Sequence, residues 1–350
     1  MININYSIQE EFLQYCYQNQ LPLLKIFFQK HSIENQLLQK GLNCTVKEQF
    51  FPLALFLMKN GASLYQESEN LCSFAINRQN HKILQFLLDF QIKVPSSLIL
   101  LTNATIDEKF FFQSLPLLEN LESFYDHILI TASNFGQLKI VEWAIQQGAN
   151  IAAQNHAAIQ FSTQKSNELN ILQFLEKQGG DIHVENDYLL KFSAQRNQTK
   201  ILSYLIQKDC DIHAKNEALI HAIEKSSFEC LDLLLENQVD LTANDYHSIF
   251  TCVQKSSSLF LEKILKNLQK KNQPIFIHNP NILSFVIREE KENMLALLLE
   301  YCHFDLSNDI IQFSLLCQNP NISIMLNRKK LQNELNDTLL FKNITKNIKI

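Results

Sequence analysis

The side chains best suited to chemistry in this chain are eight cysteines and a tripeptide that occurs twice, Asp-Ile-His at Asp181–His183 and Asp211–His213. Aspartate and histidine repeated at one spacing raise the question of zinc, which holds each ligand nitrogen about 2 Å away. Equivalent positions on adjacent stacked helices lie about 8–10 Å apart. Two such histidines would have to lean together and recruit further ligands, so the spacing favours solvated turns. Asp181, Asp211 and Asp240, with Asn150 before them, then read as turn residues bonding nearby backbone. The cysteines contain no Cys-x-x-Cys pair. Gly-x-Gly-x-x-Gly, Gly-x4-Gly-Lys, Gly-x-Ser-x-Gly and His-Glu-x-x-His are absent as well. A reactive thiol needs a partly exposed, electropositive surrounding, and most of the cysteines fall on packing positions instead. No catalytic residue, cofactor or metal ligand is assigned, and the chain does not read as an enzyme.

Composition narrows the class. A formal charge of −5 over 350 residues argues against phosphate-driven nucleic-acid binding. The longest apolar run, Phe50–Met58, contains Pro52 and is too short to span a bilayer. Residues 1–20 show no basic start, apolar core and cleavage site of a secretory signal. Scattered cysteines fit a reducing compartment, so the expectation is a cytoplasmic protein. At 46% hydrophobic the chain can bury a large core. Its length points to several domains or to one repeat array.

The elements that carry these residues recur. Segments ending at Ile151, Ile182, Ile212 and Leu241 align as a short helix, a polar break, a second helix and a turn with Asn or Asp before Ile or Leu. One small or short side chain keeps the register on the first helix: Cys16, Thr45, Ala75, Thr102, Ala132, Ser162, Ser193, Ala222, Cys252, Val286 and Ser314. Its members recur at a nearly constant period, and the widest gap, between Cys252 and Val286, marks an insertion that holds Pro274 and Pro280. Seven or eight positions later an apolar pair opens the second helix, as at Ile140-Val141, Ile201-Leu202 and Phe260-Leu261. A small residue lets two antiparallel helices approach, and the apolar stripe of the second helix needs neighbouring repeats to cover it. Cys16 and Cys252 belong to that column. Cys72 and Cys230 take apolar positions, and Cys210 stands where Ala62 and Ala149 do. Trp143 shares a column with Phe56, Phe86, Phe174 and Tyr204, so core packing is expected there rather than a cofactor role. Asn155, Asn186, Asn216 and Asp245 are expected to cap the first helices.

The stretches Ala218–Ala222 (ALIHA), Gly136–Ile151 (GQLKIVEWAIQQGANI), Asn60–Leu64 (NGASL) and Gln178–Ile182 (QGGDI) resemble ankyrin repeats. The family's TPLH signature is missing, its helix-ending glycine survives only as Gly136, and the repeats are slightly shorter than the family's usual length. Such short repeats look like those of amoeba-infecting giant viruses, intracellular bacteria and some protists. The resemblance implies an all-α, ankyrin-like helical-repeat solenoid of about eleven helix-turn-helix repeats. The array is expected over 1–330, best matched over 125–245, with a divergent repeat at 95–124 and an insertion at 266–281. A capping segment or tail follows at 331–350, where Arg328, Lys329, Lys330, Lys342, Lys346 and Lys349 give mild basicity.

The resemblance implies a protein-binding scaffold or adaptor, with a host-directed effector as its finer form. Partner contacts in such arrays come from turns and exposed first-helix positions. These are Asn155, Gln160, His183, Glu185, Lys191, His213, Lys215, Tyr246 and Phe250, the two aromatics standing out as anchors. Packing of Tyr246 and Phe250 against the neighbouring insertion is the alternative. A protein partner, no nucleic acid, no membrane span and a monomeric chain complete the expectation. Two other functions stay open: a small catalytic site hidden in 95–125 or 310–350, segments too short for an independent catalytic core, and a self-assembling spacer.

Overall fold

A computed structural model describes residues 2–95, 107–164, 168–270, 275–277, 280–304 and 306–347. Among these there are 21 α-helices and only four strands, each of two residues, so the fold is an all-α helical repeat. The chain divides into two compact units: Met1–Lys165 with Asn170–Gly180, and Ser166–Leu169 with Asp181–Ile350.

In the first unit the helices pair as Ile2–Tyr17 with Leu21–Lys30, Asn35–Lys47 with Phe51–Lys59, and Ser68–Asn77 with His81–Asp89. Glu108–Ser114 follows alone, because Thr102 and its expected helix lie outside the described residues. Tyr125–Phe135 then pairs with Leu138–Gln146, and Ala153–Phe161 with Asn170–Lys177. In the second unit the pairs are Val184–Gln195 with Thr199–Ile206, Ile212–Lys225 with Phe228–Glu236, and Ala243–Gln254 with Ser258–Gln269. Pro280–Arg288 with Glu292–Tyr301, and Asn308–Ser314 with the 28-residue helix Pro320–Asn347, complete it. Within each unit, first helices pack on their own second helix and on the next first helix.

The small column is the seam. All ten of its described members are buried, none above 5% exposure. Its hydroxyls are not a liability, because each turns back onto its own helix. Thr45, Ser162, Ser193 and Ser314 donate to the carbonyls of Leu42, Ile159, Leu190 and Ile311 at 3.0, 2.7, 2.9 and 2.6 Å. That bond removes the cost of burying a free hydroxyl and leaves a side chain no wider than a small apolar one. The apolar pairs facing the column are buried too, except Leu23, which is 45% exposed, and the loose last repeat, where Ser323 is half-buried.

Four positions past the column, most first helices give way to a left-handed residue. Gly136, at φ +78°, is the only glycine among them. Gln49, Gln79, Asn197, Ser226, Ser256 and Glu290 adopt the same conformation at φ between +49° and +64°. The backbone turn is therefore kept where its usual residue is lost.

Two repeats add a parallel two-strand ladder. Val94–Pro95 pairs with Leu118–Glu119 beside the divergent repeat, and Ile275–Phe276 of the insertion pairs with Cys302–His303. Residues 96–106, 271–274 and 278–279, and with them Pro274, lie outside the described residues. The expected boundary at 330 falls inside the helix Pro320–Asn347. The side chains of Lys342 and Lys346, and all of Lys349, lie outside the description.

Enlarging the seam should be costly. Ala222→Leu, at a fully buried position, is expected to lower unfolding free energy by about 1–3 kcal/mol through overpacking, read by denaturant titration. Relieving a left-handed cap should do the reverse. Ser226→Gly at φ +59° is expected to gain about 0.5–1 kcal/mol, since the steric cost removed exceeds glycine's entropy cost.

Candidate functional site

The turns between repeats set the first-helix starts, and they do so with a bond the sequence disguises. Asn155, Asn186 and Asp245 do not cap their helices, which show no side-chain cap bond. Each is the middle residue of a left-handed triplet: Gln154–His156, Glu185–Asp187 and Asn244–Tyr246. Short polar side chains tolerate that backbone, which explains the Asn and Asp there. In the adjoining repeat the helix begins at Ile212, so Asn216 lies a turn inside it rather than at its start.

The position that matters lies six places before the small column. Asp126, Asp187 and Asn216 there accept the backbone N–H found 24 residues later, from Asn150, Asp211 and Asp240, at 2.6, 3.0 and 2.9 Å. Gln39 stands at the same position, and with its amide oxygen turned inward it accepts from Ser63 N at 2.7 Å. One side chain thus fastens a first helix to the turn leading into the next repeat. Within the turns, Asn150, Asp181 and Asp240 accept the N–H two positions on, from Ala152, His183 and Thr242, as expected. Asp211 does not; it precedes the helix Ile212–Lys225 without a side-chain cap bond.

In the second unit the aligned first helices leave a groove of about 850 Å³. Val184–Gln195 contributes Tyr188, Lys191, Phe192 and Gln195, residues at the i, i+3, i+4, i+7 spacing of one helical face. Ile212–Lys225 contributes Ile212, His213, Asn216, Glu217, Ile220 and His221. Ala243–Gln254 adds Asn244, His247 and Ser248. The Tyr188 and Phe192 rings stack at 5.6 Å, and the Arg196 guanidinium lies 5.0 Å over Phe192. Lys191 Nζ reaches Glu217 Oε2 at 3.0 Å, tying two first helices together. With Glu217 well exposed, that pair is worth about 0.2–1 kcal/mol. His221 Nδ1 is buried without a hydrogen-bond partner, 3.4 Å from Glu224 Oε2. Ser248 Oγ is also unpartnered, so the adjacent His247 does not activate it as a nucleophile. An apolar floor with convergent polar groups suits a polypeptide.

Of the expected contact residues, Lys191 and His213 line this groove. Asn155 and Gln160 are in the first unit, where Gln160 Nε2 donates to the Asn155 carbonyl at 2.8 Å. Glu185 is exposed on its left-handed triplet, and Lys215 is half-buried near Cys210. His183 turns to Asp187 rather than to His213, its Nδ1 2.5 Å from Asp187 Oδ1. Tyr246 is half-buried, and Phe250 meets Phe285 of the next repeat edge-on at 6.0 Å. Tyr188, Phe192 and His247 were missing from the expected set. The three-four spacing from Tyr188 finds Phe192, and the repeat register, which puts Tyr188 and His247 each five places before the small column, finds His247.

Seven of the eight cysteines are buried, and Cys317 is half-buried. Burial pushes the thiols of Cys16, Cys72, Cys230 and Cys302 up to about 12, and that of Cys44 to about 11. A thiol-specific disulfide reagent at pH 8 is therefore expected to label Cys317 first and the remaining seven only after denaturation. The inter-repeat bond has its own test. Asp187→Ala should cost about 1–3 kcal/mol and the more exposed Asn216→Ala about 0.5–1.5 kcal/mol, measured by urea unfolding.

Residues 163–245 match the family model of ankyrin repeats in three copies, and that stretch of the chain is built of ankyrin repeats. No curated protein matches the chain. Among the described residues no helix is long and apolar enough to cross a membrane.

Proposed function

We propose that this chain is a protein-interaction scaffold or adaptor whose partner is a polypeptide held across the first helices of its ankyrin repeats. Ankyrin repeats generally mediate protein–protein interaction. The observation that carries the reading is the groove from Tyr188 to Ser248, where stacked aromatics lie beside one ion pair and three histidines. Rigid aromatics there provide contact area at low entropic cost, and the polar groups along the edges fix register. Glu185, Lys215 and the first-unit residues Asn155 and Gln160 extend the same kind of surface as secondary contacts, with Tyr246 and Phe250 as aromatic contacts. Net charge of −5 supports a protein rather than a nucleic-acid partner. The finer reading is a monomeric cytoplasmic adaptor, in its sharpest form a host-directed effector. Its support is the short, TPLH-less repeat and the scattered cysteines.

A photo-reactive residue placed at Tyr188, compared with one at exposed Glu236 on a second helix, tests the surface in the native cell. Crosslinks from Tyr188 that Phe192→Ala weakens at least about tenfold are expected, as for a central aromatic anchor. Equal crosslinking from both positions, insensitive to Phe192→Ala, would overturn the groove as the contact surface. Light scattering should return a mass near 40.7 kDa, and a concentration-dependent rise would favour a self-assembling spacer.

A further inference from the structure

Three side chains of different chemistry converge in the repeat that begins at Val184. His183 Nδ1, a carboxylate oxygen of Asp187 and Cys210 Sγ all lie within 4.8 Å of one another. Asp187 and Cys210 are buried, while the His183 side chain keeps 45% of its surface open. The inter-repeat bond explains the carboxylate alone, since Asn216 makes that bond in the next repeat with an amide. It explains neither other group. At the turn position that Cys210 occupies, Ala149 and Val239 stand in other repeats; four residues before Asn216, where His183 stands before Asp187, the next repeat has Ile212, its own histidine, His213, falling one place later. An imidazole and a thiol thus stand beside an acceptor that the inter-repeat bond already places.

We propose that His183, Asp187 and Cys210 form a binding site for Zn2+. Tetrahedral zinc, with bonds of about 2.0–2.3 Å, spaces its ligand atoms roughly 3.3–3.7 Å apart. The separations here run from 2.5 Å, between His183 Nδ1 and Asp187 Oδ1, to no more than 4.8 Å. Closing on one ion therefore takes side-chain shifts of about 1 Å. Nitrogen, carboxylate oxygen and a thiolate together suit a borderline-soft ion better than calcium or magnesium, which take oxygen alone. Asp187 Oδ2 keeps the Asp211 N–H at 3.0 Å, an outer bond that orients the carboxylate.

The balance at sulfur is an exchange: the thiol proton, which is given to the Leu205 carbonyl at 3.1 Å, leaves to water, and a zinc–sulfur bond replaces both the S–H bond and that hydrogen bond. Burial and the Asp187 charge push that thiol up to about 12, an opposition that a bound cation reverses. Lys215 lies near enough to favour the thiolate. Its charge also sets the affinity below that of a site with no cation beside it. With three protein ligands and an exposed imidazole, the fourth position faces water.

The test titrates the reduced, metal-free full chain with Co2+ as a spectroscopic stand-in. One equivalent should produce thiolate-to-cobalt charge transfer and intense tetrahedral visible bands, which Zn2+ then displaces. Cys210→Ala folds, because alanine fills the equivalent position at Ala149, and it should abolish the charge-transfer band. Asp187→Asn preserves the backbone bond in the way Asn216 does, and with His183→Ala it should weaken Co2+ binding at least about tenfold. Absence of the band in the wild-type chain overturns the proposal. So does a band that persists in Cys210→Ala, or a Zn2+-induced rise in Tm equal in that variant and in the wild type.

Discussion

Two antiparallel helices can share a seam only where one side offers nothing larger than a few atoms, and this chain meets that demand at all ten column positions among the described residues. Alanine, cysteine, serine and threonine serve equally, because the hydroxyls at the seam bond to their own helix three positions back. Close approach then lets the apolar pair on the second helix sink to nearly zero exposure, as Ile201-Leu202 and Phe260-Leu261 do. Everything else follows from that spacing. The first helices line up, their outward faces adjoin, and a groove opens between Tyr188 and Ser248 without any residue being dedicated to forming it.

That seam was readable in the sequence because it obeys periodicity, and periodicity is what a sequence displays most openly. The burial of Cys16, Cys72, Cys230 and Cys252 followed from it, as did the core role of the second-helix pairs. The turns were less legible. An Asn ahead of a helical pattern reads as a cap, yet Asn155, Asn186 and Asp245 sit in left-handed triplets. Capping and left-handed backbone favour the same short polar residues, so residue type cannot separate them. The bond from Asp187 to the Asp211 N–H spans 24 residues and carries no local signature. The groove lining was half legible: His213 was found at a turn and Lys191 as an exposed first-helix position, while Tyr188, Phe192 and His247 needed the helical face to be followed inward.

The left-handed caps show which constraint dominates the other. A glycine is the least strained residue at that corner, and one repeat keeps it, at Gly136. Six other repeats carry Gln, Asn, Ser or Glu in the same backbone conformation. Packing on both sides fixes the corner whatever residue occupies it, so local preference yields to the seam. Some of those residues have found second employment. Asn197 accepts from Cys230 N at 3.3 Å and also donates to Glu229, whose carboxyl that bond holds below its ordinary range. Glu290 likewise accepts the N–H of Gln318 at 2.5 Å, fastening the following repeat.

Those ties between neighbours have a kinetic meaning. The bonds that join one repeat to the next reach 24 residues at the first-helix starts and 38 at Lys291 Nζ to the Val253 carbonyl. Within either compact unit, folding therefore closes a succession of short loops rather than a few long ones. Loop-closure entropy stays small at each step, and a nucleus can form at any well-matched pair of repeats and spread outward. A chain of this length would fold slowly if its core joined distant segments. Here the growing polypeptide can bury each stripe as soon as the next repeat has been made.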